Sequence, residues 1–70
     1  MYIVMELQTT GKTTATLTNA YTDKNTAYQK YHTILAAAAV STVEIHTAVI
    51  MNEYGVMEAR ETYTHGGEEV

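Results

Sequence analysis

The hydrophobic pattern of this chain changes period twice. From Asp23 to about Val40, apolar residues recur at helical spacing, with Ala27, Tyr28, Tyr31, Ile34, Leu35 and Ala38 forming one stripe. On either side the pattern alternates, and the segments are rich in Thr, Val, Ile and Tyr, which suit a pleated surface. Tyr2 to Thr9 places Ile3, Met5 and Leu7 on one face and Val4, Glu6 and Gln8 on the other. Thr10-Gly11-Lys12 reads as a hairpin turn, where Gly11 supplies a positive φ. A second strand, Thr13 to Tyr21, turns Ala15, Leu17 and Tyr21 inward and Thr14, Thr16 and Thr18 outward. Thr22 or Asp23 can cap the helix.

After the helix, Val43 to Met51 places Val43, Ile45, Val49 and Met51 on one face and Glu44, His46, Ala48 and Ile50 on the other. Asn52 to Gly55 is a turn, and Val56 to Thr64 is a fourth strand. The pattern predicts an α+β fold of order ββαββ, a four-stranded antiparallel sheet with one helix packed on one face. Residues 1–64 form a single domain, and residues 65–70 read as a disordered tail. One helix covers one sheet face. The other face, expected to carry Val4, Glu6, Gln8, Thr14, Thr16, Thr18, Glu44, His46, Ala48 and Ile50, is where function should be sought.

Length sharpens that expectation. A chain of 70 residues buries only about 60% of the surface its unfolded form exposes, so its own core is marginal. There is no Cys, which removes disulfides and thiolate metal sites, and three scattered His make no metal motif. No metal or cofactor is expected, and self-association, as a homodimer or higher oligomer, is the favoured remedy. The net charge of −4 and four dispersed cations, Lys12, Lys24, Lys30 and Arg60, speak against nucleic acid. No apolar run reaches the roughly 20 residues of a membrane span. The opening Met1-Tyr2-Ile3-Val4-Met5 lacks a basic leader and is cut by Glu6, so a cytoplasmic location is expected.

Candidate chemistry is sparse. Gly11-Lys12-Thr13 ends like a phosphate-binding P-loop, but Glu6 stands where that motif needs its first Gly, and a strand follows instead of a helix. Glu44 and His46 share a strand face, and Glu6 joins them if the first and third strands are neighbours. This is the only arrangement suited to proton transfer. On the outer face, Thr16, His46 and Arg60 offer directed polar contacts to a ligand. Of six tyrosines, Tyr2, Tyr54 and Tyr63 lie at strand ends or turns, where an amphipathic aromatic serves recognition. Ala36 and Ala39 lie off the helical stripe and, with Val4 and Ile50 of the outer face, are candidate subunit contacts.

Three segments, Tyr-Ile-Val-Met-Glu-Leu-Gln-Thr (2–9), Lys-Tyr-His-Thr-Ile-Leu-Ala-Ala-Ala-Ala-Val-Ser (30–41) and His-Thr-Ala-Val-Ile-Met-Asn-Glu-Tyr-Gly (46–55), resemble a group of small proteins from phages, prophages and mobile elements of Gram-positive gut bacteria. The group has no assigned chemistry, so the resemblance implies no catalytic residue. It implies action by binding, including inhibition of host defence. The expectation is a non-enzymatic, homo-oligomeric accessory factor that occludes or sequesters a host protein or a small nucleotide-like ligand. The alternatives are a small enzyme with an interface site using His46 and Glu44, or a purely structural assembly protein.

Overall fold

The computed structural model describes residues 1–65. Its elements are β1 (Tyr2–Thr10), β2 (Thr13–Tyr21), α1 (Lys24–Ala39), β3 (Ile45–Asn52) and β4 (Met57–Thr64). The sheet order is β2-β1-β3-β4 with every neighbouring pair antiparallel, the ββαββ architecture expected from the pattern. β2 and β3 therefore run parallel with β1 between them, and the helix is the crossover that joins them.

Local chemistry sets the boundaries. The two-residue loop Gly11-Lys12 closes the first hairpin, with Gly11 at φ 63°. Asp23 caps the helix: its carboxylate accepts from the Thr26 amide at 2.9 Å and the Thr26 hydroxyl at 2.7 Å. The helix ends in a tightened turn, where the Val40 and Ser41 amides donate to Ala37 and Ala38. Asn52 builds the second turn, its side-chain oxygen accepting from the Tyr54 and Val56 amides. β3 starts at Ile45, two residues later than expected, because the Ser41 hydroxyl holds the Val43 amide in the connection.

The core is small and lies between α1 and the two central strands. Val4, Ala48 and Ile50 from the sheet meet Ala27, Tyr31 and Ile34 from the helix, with Tyr2, Tyr21, Tyr28, Leu35 and Ala59 around them. This reverses the face expected for β1 and β3. Val4, Glu6, His46, Ala48 and Ile50 lie on the covered side, and Ile3, Met5, Leu7, Ile45, Val49 and Met51 lie on the open side. In β2 the face is as expected, since Glu6 pairs with Leu17 and sets Leu17 and Ala15 on the helix side and the even threonines on the open side. Ala15 and Leu17 are nevertheless exposed, and only Tyr21 reaches the core.

The physical reason is closeness of approach. Ala27 and Ala38 on the helix and Ala48 on the sheet are all fully buried, and small side chains bring the helix backbone near the strands. The opposite face carries bulkier Ile, Met and Leu at the equivalent positions and would hold the helix away. Among the assigned tail residues, His65 belongs to the fold: its amide donates to Glu44 at 2.7 Å, and its ring Nε2 lies 2.8 Å from the Ala38 carbonyl. Residues 66–70 lie outside the described residues.

Ile50 is one of the two largest fully buried side chains, so Ile50→Ala is expected to cost about 2–5 kcal/mol in urea unfolding. If the helix covered the other face, the loss would stay within about 0.5 kcal/mol, the range of surface substitutions.

Candidate functional site

Two features separate from the core. The first is a polar pair on the helix side, a buried His46 with a part-buried Glu6. β1 and β3 are neighbours, which brings Glu6 diagonally against His46. His46 Nε2 lies 2.6 Å from Glu6 Oε2, and the Gln8 side-chain amide donates to the same oxygen at 2.9 Å. His46 is almost wholly buried, at 4% exposed. Burial opposes the charge on Glu6, but the hydrogen bonds from His46 and Gln8, helped by the charges of His46 and Lys30, outweigh it. They hold the Glu6 carboxyl below the usual glutamate value. With Nε2 engaged by the carboxylate, His46 Nδ1 is buried without a hydrogen-bond partner among the described residues.

Glu44 does not complete the expected group. It stands just before β3, and its carboxylate accepts from the Gly11 amide at 3.0 Å, tying the first hairpin turn to the start of β3. Among the described residues no cluster of three metal-ligating side chains forms. The dyad that exists is Glu6 with His46, shielded by the helix layer rather than displayed on the outer face.

The second feature is the open sheet face. Cross-strand register arranges it in rows. Thr18, Met5, Val49 and Arg60 form one row; Ala20, Ile3, Met51 and Met57 form the next, at the end near the Asn52 turn. Thr16, Leu7, Thr47 and Thr62 lie on the other side of the first row. The apolar side chains concentrate on the two central strands, and threonines flank them. Hydroxyls bond across strands, Thr9 with Thr14 at 2.8 Å and Thr47 with Thr62 at 3.0 Å, which satisfies them without drawing in charge. Arg60 is the one charged side chain in these rows.

The remaining candidates scatter. Thr16 and Arg60 share the open face as expected, on opposite edge strands. Tyr63 pairs with His46 on the helix side, and Tyr54 stands 83% exposed in the turn after β3. Ala36 and Ala39 are exposed on the helix. Val4 and Ile50 are fully buried beneath the helix and so leave the set of candidate subunit contacts. In their place the geometry brings forward the part-buried Ile3, Met5, Leu7 and Met51, which alternation alone assigns to the helix side. No helix among the described residues is long and apolar enough to cross a membrane.

The lowered Glu6 pKa sets a sign for acid stability. The folded protein holds its proton less tightly than the unfolded chain, so the contribution is complete above the ordinary value of 4.5 and is lost as pH falls through the lower folded value. Urea unfolding of the wild type is expected to weaken as pH drops below about 4.5. Glu6→Gln should flatten that part of the profile and cost about 1–3 kcal/mol near neutrality, since it weakens a bond to a buried imidazole. An unchanged slope would show that other carboxylates dominate.

Comparison of the chain with protein-family models, with curated proteins and with solved structures gives no match in any of the three.

Proposed function

We propose that this protein is a non-enzymatic, self-associating binding protein whose open sheet face packs against the same face of a second copy. The observation that carries the reading is that face: Ile3, Met5, Leu7 and Met51 lie part-buried on the two central strands, around an already buried Val49, on the side opposite the helix.

Charge and area favour a second copy as the occupant. The described carboxylates lie on the helix side, in turns or at element ends, so two open faces meet without opposed acidic groups despite the net charge of −4. Strand spacing and rise give the face roughly 500 Å² per copy, hence about 1,000 Å² for a pair, near the lower bound of a specific interface. A 70-residue domain with so small a core also gains stability from burying more apolar surface.

The resemblance of segments 2–9, 30–41 and 46–55 to phage and prophage proteins adds a context. In that context the assembly acts as an accessory factor that occludes or sequesters a host component, a defence protein or a nucleotide-like ligand. The exposed Tyr54 and the smooth helix surface at Ala36 and Ala39 remain free for that contact when the sheet faces are paired.

Sedimentation analysis at micromolar concentration tests the self-association. The wild type is expected to run above monomer mass, and Met5→Glu, which sets carboxylates into the middle of the face, should weaken association about tenfold or more. A wild-type monomer, or an assembly indifferent to Met5→Glu, would remove the face as the contact.

A further inference from the structure

The two edges of this sheet are built differently. β4 carries Glu58, Arg60 and Glu61, and its pairing with β3 breaks register between Ile50 and Met51. Charges and irregularities of this kind discourage another strand from adding to an edge. β2 has none of them. Its nine residues, Thr-Thr-Ala-Thr-Leu-Thr-Asn-Ala-Tyr, include no charge, Pro or Gly; they pair with β1 without a shift, and Thr13 through Ala20 are exposed.

We infer that β2 pairs antiparallel with β2 of a second copy, joining two sheets into one of eight strands. The register follows from the hairpin. Thr10 and Thr13 close the two-residue loop as a hydrogen-bonded pair, so odd residues of β2 bond to β1. Thr14, Thr16, Thr18 and Ala20 then direct their amides and carbonyls outward. A two-fold axis at Leu17 sets Thr16 against Thr18 and Thr14 against Ala20 of the second copy, giving about eight backbone hydrogen bonds. It also brings the two Leu17 side chains face to face at the closest cross-strand spacing. Leu17 is 56% exposed in the single chain and finds its apolar neighbour there.

The edge contact stands on a different observation from the face contact and deepens the reading built on that face. Its two-fold axis is normal to the sheet, so both helices fall on one side and the open faces merge on the other. Face pairing uses an axis in the sheet plane. Perpendicular two-folds close at four copies, with two eight-stranded sheets stacked and the helices outside. Joining edges doubles the stacked area to about 2,000 Å², inside the range of stable interfaces.

Native mass spectrometry of the full chain separates the two contacts. The wild type is expected to hold four copies, and Leu17→Lys, which opposes two cations at the axis while leaving the open face untouched, should reduce it to two. Thr18→Pro, which removes an outward amide without breaking a bond to β1, should do the same. Circular dichroism checks that each variant is folded, and either folded variant decides the question. Met5→Glu alone should also leave two copies, and Met5→Glu with Leu17→Lys should leave one. Assembly unchanged by both edge variants overturns the edge contact, even if Met5→Glu still divides it. Assembly divided by the edge variants but not by Met5→Glu supports the edge and overturns the face. A wild-type monomer overturns both.

Discussion

One 16-residue helix can cover one face of a four-stranded sheet and no more, so the rest of this structure depends on which face it covers. The choice is made by side-chain size. With Ala27 and Ala38 on the helix and Ala48 beneath it, the layers approach closely, and Val4, Ile34 and Ile50 fill what remains. The Ile, Met and Leu side chains of β1 and β3 are thereby displaced to the other side. The core therefore mixes alanines with Val4, Tyr31, Ile34 and Ile50, while Ile3, Met5, Leu7 and Met51 stay part-buried on the other side around a buried Val49.

The same division sorts the charges. Glu6, Glu58 and Glu61 occupy or border the helix side, where Glu6 takes His46 and Gln8, and Glu58 accepts from the Tyr28 hydroxyl at 3.0 Å. The open face holds Arg60 among threonines whose hydroxyls bond one another. Threonine suits this surface. Its β-branch favours the strand, its methyl continues the apolar area, and its hydroxyl needs no water when another hydroxyl lies opposite. A face of this kind tolerates solvent and burial alike.

Element order, helix length and both turns are legible in the sequence because each has a local signal: the helical stripe from Ala27 to Ala38, Gly11 and Gly55 at positive φ, and Asp23 three residues before the amide it caps. The faces of β1 and β3 are not, because both sides of each strand are apolar. Ile3, Met5 and Leu7 look more core-like than Val4, Glu6 and Gln8, and alternation alone favours the larger set. The missing signal was the pairing of polar residues. Glu6 and His46 look solvated when read singly and become buriable only as partners, which requires knowing that β1 and β3 are adjacent. Glu44 misleads for the opposite reason: it lies two residues from His46 but is already engaged by the Gly11 amide.

The Glu6–His46 pair also answers a problem that two-sided apolar strands create. Where both faces of a strand can be buried, a register slip is only weakly penalised by hydrophobicity. A slip of β1 against β3 by one residue moves Glu6 into the open apolar face and leaves His46 beneath the helix without its acceptor. A slip by two in the direction that sets Glu6 opposite Ile50 keeps the faces but withdraws the carboxylate and Gln8 from His46. Either shift strands a buried polar group at a cost of about 1–3 kcal/mol, a large share of the stability so small a core supplies. His46 Nδ1 already lacks a partner among the described residues, so the cluster adds little net stability. What it contributes is discrimination between registers that the aliphatic residues alone would leave close in energy.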